Sequence, residues 1–122
     1  VSRFSIVYNE GHITYSNEAK ERILGVKHET LENYGAVSHE TAREMAIGAA
    51  RAAQADVAVS ITGIAGPGGG TPEKPVGLVY VGCYANGTVR TEEYHFTGNR
   101  AKNREYAVVR ALTVLREELM KF

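Results

Sequence analysis

The amino-acid sequence predicts an α/β domain in which helices cover a mixed β-sheet. Two long segments carry apolar residues at helical spacing, and the runs between them are short and rich in β-branched and aromatic residues. An Asn86-Gly87 pair between two such runs predicts a hairpin of antiparallel strands. Helices that alternate with strands and precede a hairpin indicate a mixed sheet with helical layers.

The first part of the chain is predicted to contain one strand and two short helices. A β-rich stretch comes first and has a turn or bulge in its middle. Ser16 or Asn17 can cap the helix that follows, and Gly25 ends it. A second short helix ends before Gly35. The predicted bounds are 6–16 for the strand and 17–24 and 28–33 for the helices.

The rest of the chain is predicted to contain two long helices and three strands. Ser38 caps the first long helix, whose apolar face is mostly alanine and would allow close contact with a sheet. The predicted bounds are 38–54 and 100–122 for the helices and 56–61, 76–85 and 88–96 for the strands. The face of the last helix that we expect to be buried consists of Tyr106, Val109, Leu112, Leu115 and Leu119.

Composition excludes several classes of partner. The 122 residues form one domain and include 14 basic and 14 acidic side chains, so no general nucleic-acid or membrane surface is expected. No apolar run approaches the length of a bilayer span, and no signal peptide is expected. The single cysteine, Cys83, lies in a predicted strand and is expected to be buried, as a cytoplasmic setting permits. The four histidines show no ligand spacing, so no metal site is expected.

The most informative stretch is the glycine-rich loop between the first two predicted strands after the helices. It reads TGIAGPGGGTPEKPVG over 62–77. Glycines at this density let a backbone approach a ligand closely, and their N–H groups can form a concave site for an anion. It matches neither the Walker A motif nor the dinucleotide fingerprint. We expect a ligand-binding loop, and the alternative is a plain connector.

Two further stretches carry groups that could take part in chemistry. Tyr15 and Lys20 could face one place if the strand ends at Tyr15, and a partly desolvated Lys can act as a general base. The alternative is a packed Tyr and a solvated Lys. Arg100 and Arg104 share one face at a helix N-terminus, where cations are unfavourable unless an anion is bound. The alternative there is a pair of exposed charges.

Three segments together resemble one protein family. They are TYSNEAK over 14–20, GAVS over 35–38 and the glycine-rich stretch over 62–77. These segments resemble, in order, the C-terminal domain of the competence/damage-inducible CinA family, a domain that also occurs alone as nicotinamide-nucleotide amidase. The resemblance covers essentially the whole chain, and it implies one domain over 1–122.

The resemblance implies a three-layer α/β/α sandwich with a mixed, mostly parallel sheet. It also implies hydrolysis of nicotinamide mononucleotide to nicotinate mononucleotide and ammonia, in pyridine-nucleotide salvage. In that scheme a serine attacks the amide carbon, a lysine takes the proton of the serine and a tyrosine assists. The scheme needs no metal or organic cofactor.

The resemblance assigns roles to residues that match the family's motifs. The family lysine falls on Lys20 and the tyrosine on Tyr15. The arginine near the substrate phosphate falls on Arg100 or Arg104, and the sequence leaves this choice open. The other substrate-binding positions implied by the resemblance are Asn17, Thr62, Gly63, Ala65, Gly66 and Gly68.

One family motif, Glu-Ser-Cys-Thr-Gly-Gly, does not occur in the sequence. This motif carries the nucleophilic serine, and Ser2 and Ser5 are not substitutes for it. We therefore expect the family's first strand and helix to be missing, as in an N-terminally truncated domain. Two functions stay open, an amidase domain and a non-catalytic nucleotide-binding or interaction module. Apolar surface left by the missing elements would favour a homo-oligomer, with a dimer as the first expectation.

Overall fold

The computed structural model describes residues 10–121, which form four helices and three strands in that part of the chain. The α/β class is confirmed. Most bounds lie within two residues of those expected from the sequence. In chain order the elements are α1 (Asn17–Leu24), α2 (His28–Tyr34), α3 (His39–Ala53), β1 (Val57–Gly63), β2 (Leu78–Ala85), β3 (Thr88–His95) and α4 (Arg100–Leu119).

Local capping groups set where the helices begin and end. Ser16, not Asn17, is the N-cap of α1, and its Oγ accepts a hydrogen bond from the N–H of Ala19 at 3.0 Å. Gly25 ends α1 with a φ of 69°, a left-handed conformation that suits glycine. Ser38 caps α3 in the same way as Ser16 caps α1. Short-range chemistry therefore accounts for these boundaries.

The described sheet has the order β1-β2-β3, and both pairs of strands are antiparallel. The hairpin predicted at Asn86-Gly87 is confirmed, with Ala85 paired to Thr88. The expectation of a mostly parallel sheet is not matched by these strands. A parallel pair needs a crossover connection, usually a helix, whereas a loop joins β1 to β2 and a tight turn joins β2 to β3.

Helices cover both faces of this sheet, as expected for three layers. On one face, Val81 and Cys83 of β2 are fully buried in a cluster with Ala107 and Ala111 of α4. On the other face, α3 lies so close to β2 that a Cβ on Gly82 would come within 2.5 Å of the Ala42 carbonyl oxygen. Helices α1 and α2 pack against α3 in that layer, through a second buried cluster that includes Leu24, Val26, Leu31 and Met45.

The face that α4 turns toward the sheet differs from the predicted one. The buried residues of α4 are Asn103, Ala107, Ala111, Val114 and Glu118. Val109, Leu112, Tyr106 and Leu119 are exposed, and only Leu115 of the predicted face packs partly against the core. Small side chains let the helix approach the sheet closely, so the stripe with the larger side chains points outward.

The N-terminal strand predicted over 6–16 is not observed in its described part. Residues 10–15 have no regular secondary structure and pair with no described strand. Residues 6–9 of the prediction lie outside the described range. A β-rich composition favours a strand only where a partner strand is available, because isolated extended segments leave their backbone groups unpaired.

Candidate functional site

The glycine loop, residues 64–77, joins β1 to β2 at one end of the sheet. Two backbone hydrogen bonds close its base, from Ile64 N–H to Leu78 O at 2.9 Å and from Gly77 N–H to Ile64 O at 2.7 Å. Near its far end, Thr71 and Lys74 form a tight turn in which Thr71 N–H donates to Lys74 O at 2.8 Å. The loop therefore has a defined shape even though it contains no helix or strand.

The N-terminal turn of α4 holds the first part of the glycine loop. Arg100 donates from Nη1 to the carbonyl oxygen of Gly66 at 3.0 Å. Asn103 donates from Nδ2 to the carbonyl oxygen of Ala65, also at 3.0 Å. Between loop and helix lies an open cleft of about 490 Å³. Its lining residues are Ala65, Gly66, Pro67, Val76, Gly98, Asn99, Arg100 and Ala101.

The opposite helical layer holds the base and the far end of the same loop. The hydroxyl of Thr62, at the end of β1, is buried and donates to the carbonyl oxygen of Ala36 at 2.7 Å. The ammonium group of Lys74 donates to the carbonyl oxygen of Tyr34, at the end of α2. The loop is thus attached to both layers of helices, which fixes its position relative to the sheet.

The glycines of the loop differ in how much space surrounds them. Gly66 has a φ of 92°, and a Cβ there would lie 2.6 Å from Cγ1 of Val76. A Cβ on Gly70 would lie 2.7 Å from the backbone nitrogen of Val76. No atom lies within 4 Å of the corresponding position on Gly68. Gly66 and Gly70 are required by the loop's own packing, whereas Gly68 leaves open space into which a ligand could come.

Lys20 is a buried cation on α1, with 8% of its surface exposed. Its Nζ donates to the carbonyl oxygen of Thr14 at 2.6 Å. Burial lowers the pKa of Lys20 from its usual 10.5, because desolvation disfavours the charged form. Of the two interpretations given by the sequence, a solvated lysine is therefore wrong. Tyr15 is not packed either, since 90% of its surface is exposed.

The structure brings together only some of the residues predicted for the site. Ala65, Gly66 and Arg100 meet at the cleft, with Thr62 below them at the base of the loop. Arg104 lies on a different, shallow surface of α4 that includes Glu105 and Val108. The remaining predicted residues, Tyr15, Asn17, Lys20, Gly63 and Gly68, do not line the cleft. The family scheme requires Lys20 and the glycine loop to contact one substrate, and their convergence on a single pocket stays a prediction.

Sequence reasoning missed Asn103, which holds the loop with Arg100. The signal that could have found it is its place on α4. It is followed at helical spacing by Ala107, Ala111 and Val114, all of which face the sheet. A polar side chain in an otherwise apolar buried stripe needs a hydrogen-bond partner, and that requirement points to a specific contact.

Two further observations concern residues 10–121 alone. These residues contain no group of three or more His, Cys, Asp or Glu side chains placed to hold a metal ion. Within the same range, every helix is too short or too polar to cross a lipid bilayer.

The sequence is similar to bacterial proteins along nearly its whole length. One relative is a putative competence-damage inducible protein of Alkaliphilus metalliredigens, 56% identical over 117 residues, which are 96% of this chain and 28% of that protein. A CinA-like protein of Kosmotoga olearia is 55% identical over 120 residues, 98% of this chain and 29% of that protein. The chain thus spans less than a third of the length of these relatives.

Solved structures agree with these sequence similarities. A competence/damage inducible protein from Agrobacterium tumefaciens superposes with a TM-score of 0.83 at 48% identity, over 85% of this chain and 64% of that one. A CinA superfamily protein from Klebsiella pneumoniae gives a TM-score of 0.85 at 38% identity, over 89% of this chain and 68% of that one. The family model of the CinA C-terminal domain matches residues 1–119. The chain therefore belongs to the CinA C-terminal domain family.

Proposed function

We propose that this domain binds nicotinamide mononucleotide and hydrolyses its carboxamide, giving nicotinate mononucleotide and ammonia in the cytoplasm. The observation that carries the proposal is the state of Lys20. Burial lowers the pKa of its ammonium group, and a hydrogen bond to Thr14 O holds Nζ in place. A lysine can accept a proton only as the neutral amine, so a lowered pKa is what a lysine general base requires.

In the proposed reaction the family's serine attacks the carboxamide carbon while the neutral amine of Lys20 takes the hydroxyl proton. The proton then passes to the leaving nitrogen, and ammonia departs. Water attacks the resulting ester, releases the carboxylate and restores the serine. Tyr15 assists from the same segment. The serine motif does not occur in these 122 residues, so the proposed reaction requires a serine from outside them.

The proposed binding side of the site is the cleft between the glycine loop and α4. Of the two candidate arginines, Arg100 is assigned to the phosphate because it lies against the loop, whereas Arg104 lies elsewhere on α4. Backbone N–H groups of a glycine-rich loop and a helix N-terminus are favourable neighbours for an anion.

The alternative function is a nucleotide-binding or interaction module without catalysis. The observation that favours it is that the glycine loop, held by Arg100 beside the cleft, can bind a ligand without any part played by Lys20. Under this alternative the loop and Arg100 bind the nucleotide, and Lys20 has no proton to accept. Both functions predict binding of nicotinamide mononucleotide, and only the amidase predicts release of ammonia.

The experiment separates binding from chemistry. Binding of nicotinamide mononucleotide to the 122-residue chain is measured by calorimetry. Ammonia release is measured in an extended protein, in which a segment carrying the serine motif from a longer relative is joined to Val1. A serine-to-alanine variant of that segment is the matched control. Release by the extended protein alone supports the amidase, binding without release supports the alternative, and neither binding nor release contradicts both.

We also propose that the chain forms a homo-oligomer, with a dimer as the first expectation. The observation that supports this is the exposed apolar stripe of α4, which includes Val108, Val109, Leu112 and Leu119. Contiguous exposed apolar surface usually marks a contact with another surface. Light scattering at high concentration tests the proposal, and a monodisperse monomer would contradict it.

A further inference from the structure

Asn103 is a buried polar side chain whose two ends both have partners. Only 1% of its surface is exposed, and its neighbours along the buried stripe of α4 are Ala107 and Ala111. Its Nδ2 donates to the carbonyl oxygen of Ala65 at 3.0 Å, and its Oδ1 accepts from Gly98 N–H at 3.0 Å. The side chain thus links the start of the glycine loop to the segment that leads into α4.

This link determines the direction of one peptide group. Among the described residues only the Gly66–Pro67 bond is cis, so the peptide between Ala65 and Gly66 is trans. In a planar trans peptide the C=O and N–H bonds point in opposite directions. Because Ala65 O points at Asn103, the N–H of Gly66 points away from it.

The N–H of Gly66 has no acceptor among residues 10–121. Arg100 donates to the next carbonyl oxygen, that of Gly66 itself. The carbonyl oxygens of Ala65 and Gly66 therefore both have hydrogen-bond donors. Gly66 is buried, and Val76 packs so closely against it that an added Cβ would lie 2.6 Å from Cγ1 of Val76. An unpaired donor in a loop with fixed carbonyls is ready to bind an acceptor oxygen from a ligand.

We infer that Asn103 is a positioning residue, which orients the Gly66 N–H as a hydrogen-bond donor to an oxygen of the bound nucleotide. Asn103 acts through the loop and does not itself touch the substrate. The inference deepens the proposed function and rests on it for the identity of the ligand. The geometry of the Ala65–Gly66 peptide does not depend on that identity, so the two can fail separately.

The test uses Asn103→Asp, which has nearly the same shape. The carboxylate still accepts from Gly98 N–H but cannot donate to Ala65 O. Affinity for nicotinamide mononucleotide is measured by calorimetry, and the amide signals of Gly66 and Gly98 are followed by NMR. Asn33→Asp is the matched control, because Asn33 is exposed on α2 and the charge change is identical.

We expect Asn103→Asp to weaken binding about tenfold, as for one hydrogen bond lost, and to move the Gly66 amide signal. The Asn33→Asp chain should bind as the unaltered chain does. Unchanged affinity in a folded Asn103→Asp chain would overturn the inference. If Asn103→Asp does not fold, Asn103→Ser takes its place, since its hydroxyl is too short to reach Ala65 O.

The failure of the proposed function looks different from the failure of the inference. If the unaltered chain does not bind nicotinamide mononucleotide, the proposed function fails. The positioning role is then judged from NMR alone. A Gly66 amide signal that moves in the Asn103→Asp chain and not in the Asn33→Asp chain supports it, and an unmoved signal overturns it.

Discussion

The glycine loop and the lysine segment, residues 14–20, differ in how firmly the described residues hold them. The loop is attached to α4 through Arg100 and Asn103 and to the other helical layer through Lys74. The lysine segment has a capped helix and one buried ammonium group, but Tyr15 is almost fully exposed. The glycine loop is therefore pre-formed, whereas the lysine segment combines a fixed lysine with an exposed tyrosine.

This difference suggests that the two regions have separate roles, the loop in nucleotide binding and the lysine segment in proton transfer. A pre-formed loop loses little conformational entropy when a ligand binds, so it suits recognition of the nucleotide. Desolvation lowers the pKa of a lysine and so favours the neutral amine, which is the form that can accept a proton. Substitutions in the loop should then act on binding and stability, and substitutions in the lysine segment should act on turnover.

The largest effect is expected for Lys20→Ala in the extended protein. Loss of a general base should lower ammonia release by about 10²–10⁴-fold and leave affinity for nicotinamide mononucleotide nearly unchanged. Lys27→Ala is the matched control, because Lys27 is exposed and its substitution removes the same charge. Weaker binding with unchanged turnover would show that Lys20 acts in substrate binding and that the two regions do not have separate roles.

The pH dependence of the same protein gives a second measurement on Lys20. The base is active as the neutral amine, so ammonia release should rise with pH through the pKa of Lys20, below its usual 10.5. Lys20 should contribute a slope of rising stability between its lowered folded pKa and 10.5, because there it binds more protons in the unfolded chain than in the folded one. Cys83, Tyr80 and Tyr94 contribute the opposite slope, because burial raises the pKa of each. Lys20→Met should abolish the Lys20 contribution to the slope in urea unfolding at alkaline pH.

The next largest effect is expected for Gly66→Ala. The substitution places a side chain at a φ of 92° and within 2.6 Å of Val76, so it should destabilise the fold by about 3 kcal/mol. Gly68→Ala is the matched control, and open space around it predicts a change within about 0.5 kcal/mol. Urea unfolding measures both. Equal effects at the two glycines would show that the loop is not pre-formed.

Local parts of this structure could be predicted from the sequence, and contacts between distant parts could not. Ser16, Ser38 and Asn86-Gly87 each act within a few residues, so capping and hairpin chemistry identify them directly. The antiparallel path of β1 and β2 depends on where the chain returns after the glycine loop. Composition alone does not determine that path, because apolar runs fit parallel and antiparallel strands alike.

The candidate site shows the same limit. The glycine content indicated a binding loop, but the i, i+4 spacing of Arg100 and Arg104 could not say which one meets it. That choice depends on where the loop lies along the axis of α4, because residues four apart share one face. The rotation of α4 about its axis decides instead whether Asn103 faces the loop. The large apolar residues suggested one rotation, and close packing of Ala107 and Ala111 on the sheet produced another. The rotation that exposes Leu112 is also the one that turns Asn103 toward the loop.

A smaller effect is expected for Thr62→Val, at the base of the loop. Valine fits the same space but leaves the carbonyl oxygen of Ala36 without its buried donor, at a cost of about 2 kcal/mol. Thr113→Val is the matched control, because its hydroxyl bonds to its own helix on the exposed side of α4. Thermal unfolding of both chains is the measurement. Unchanged stability of the Thr62→Val chain would show that this hydrogen bond is not one of the attachments that hold the loop.

The smallest effect on stability is expected for Tyr15→Ala. Because 90% of Tyr15 is exposed, its removal should change the free energy of unfolding by no more than about 0.5 kcal/mol. Ammonia release by the extended protein should nevertheless fall, and Tyr15→Phe should distinguish loss of the hydroxyl from loss of the ring. Tyr34→Ala is the matched control, since Tyr34 is also exposed and the substitution keeps the backbone carbonyl that accepts from Lys74. A tyrosine that can be removed without change in turnover would leave Lys20 as the sole proposed catalytic group of the lysine segment.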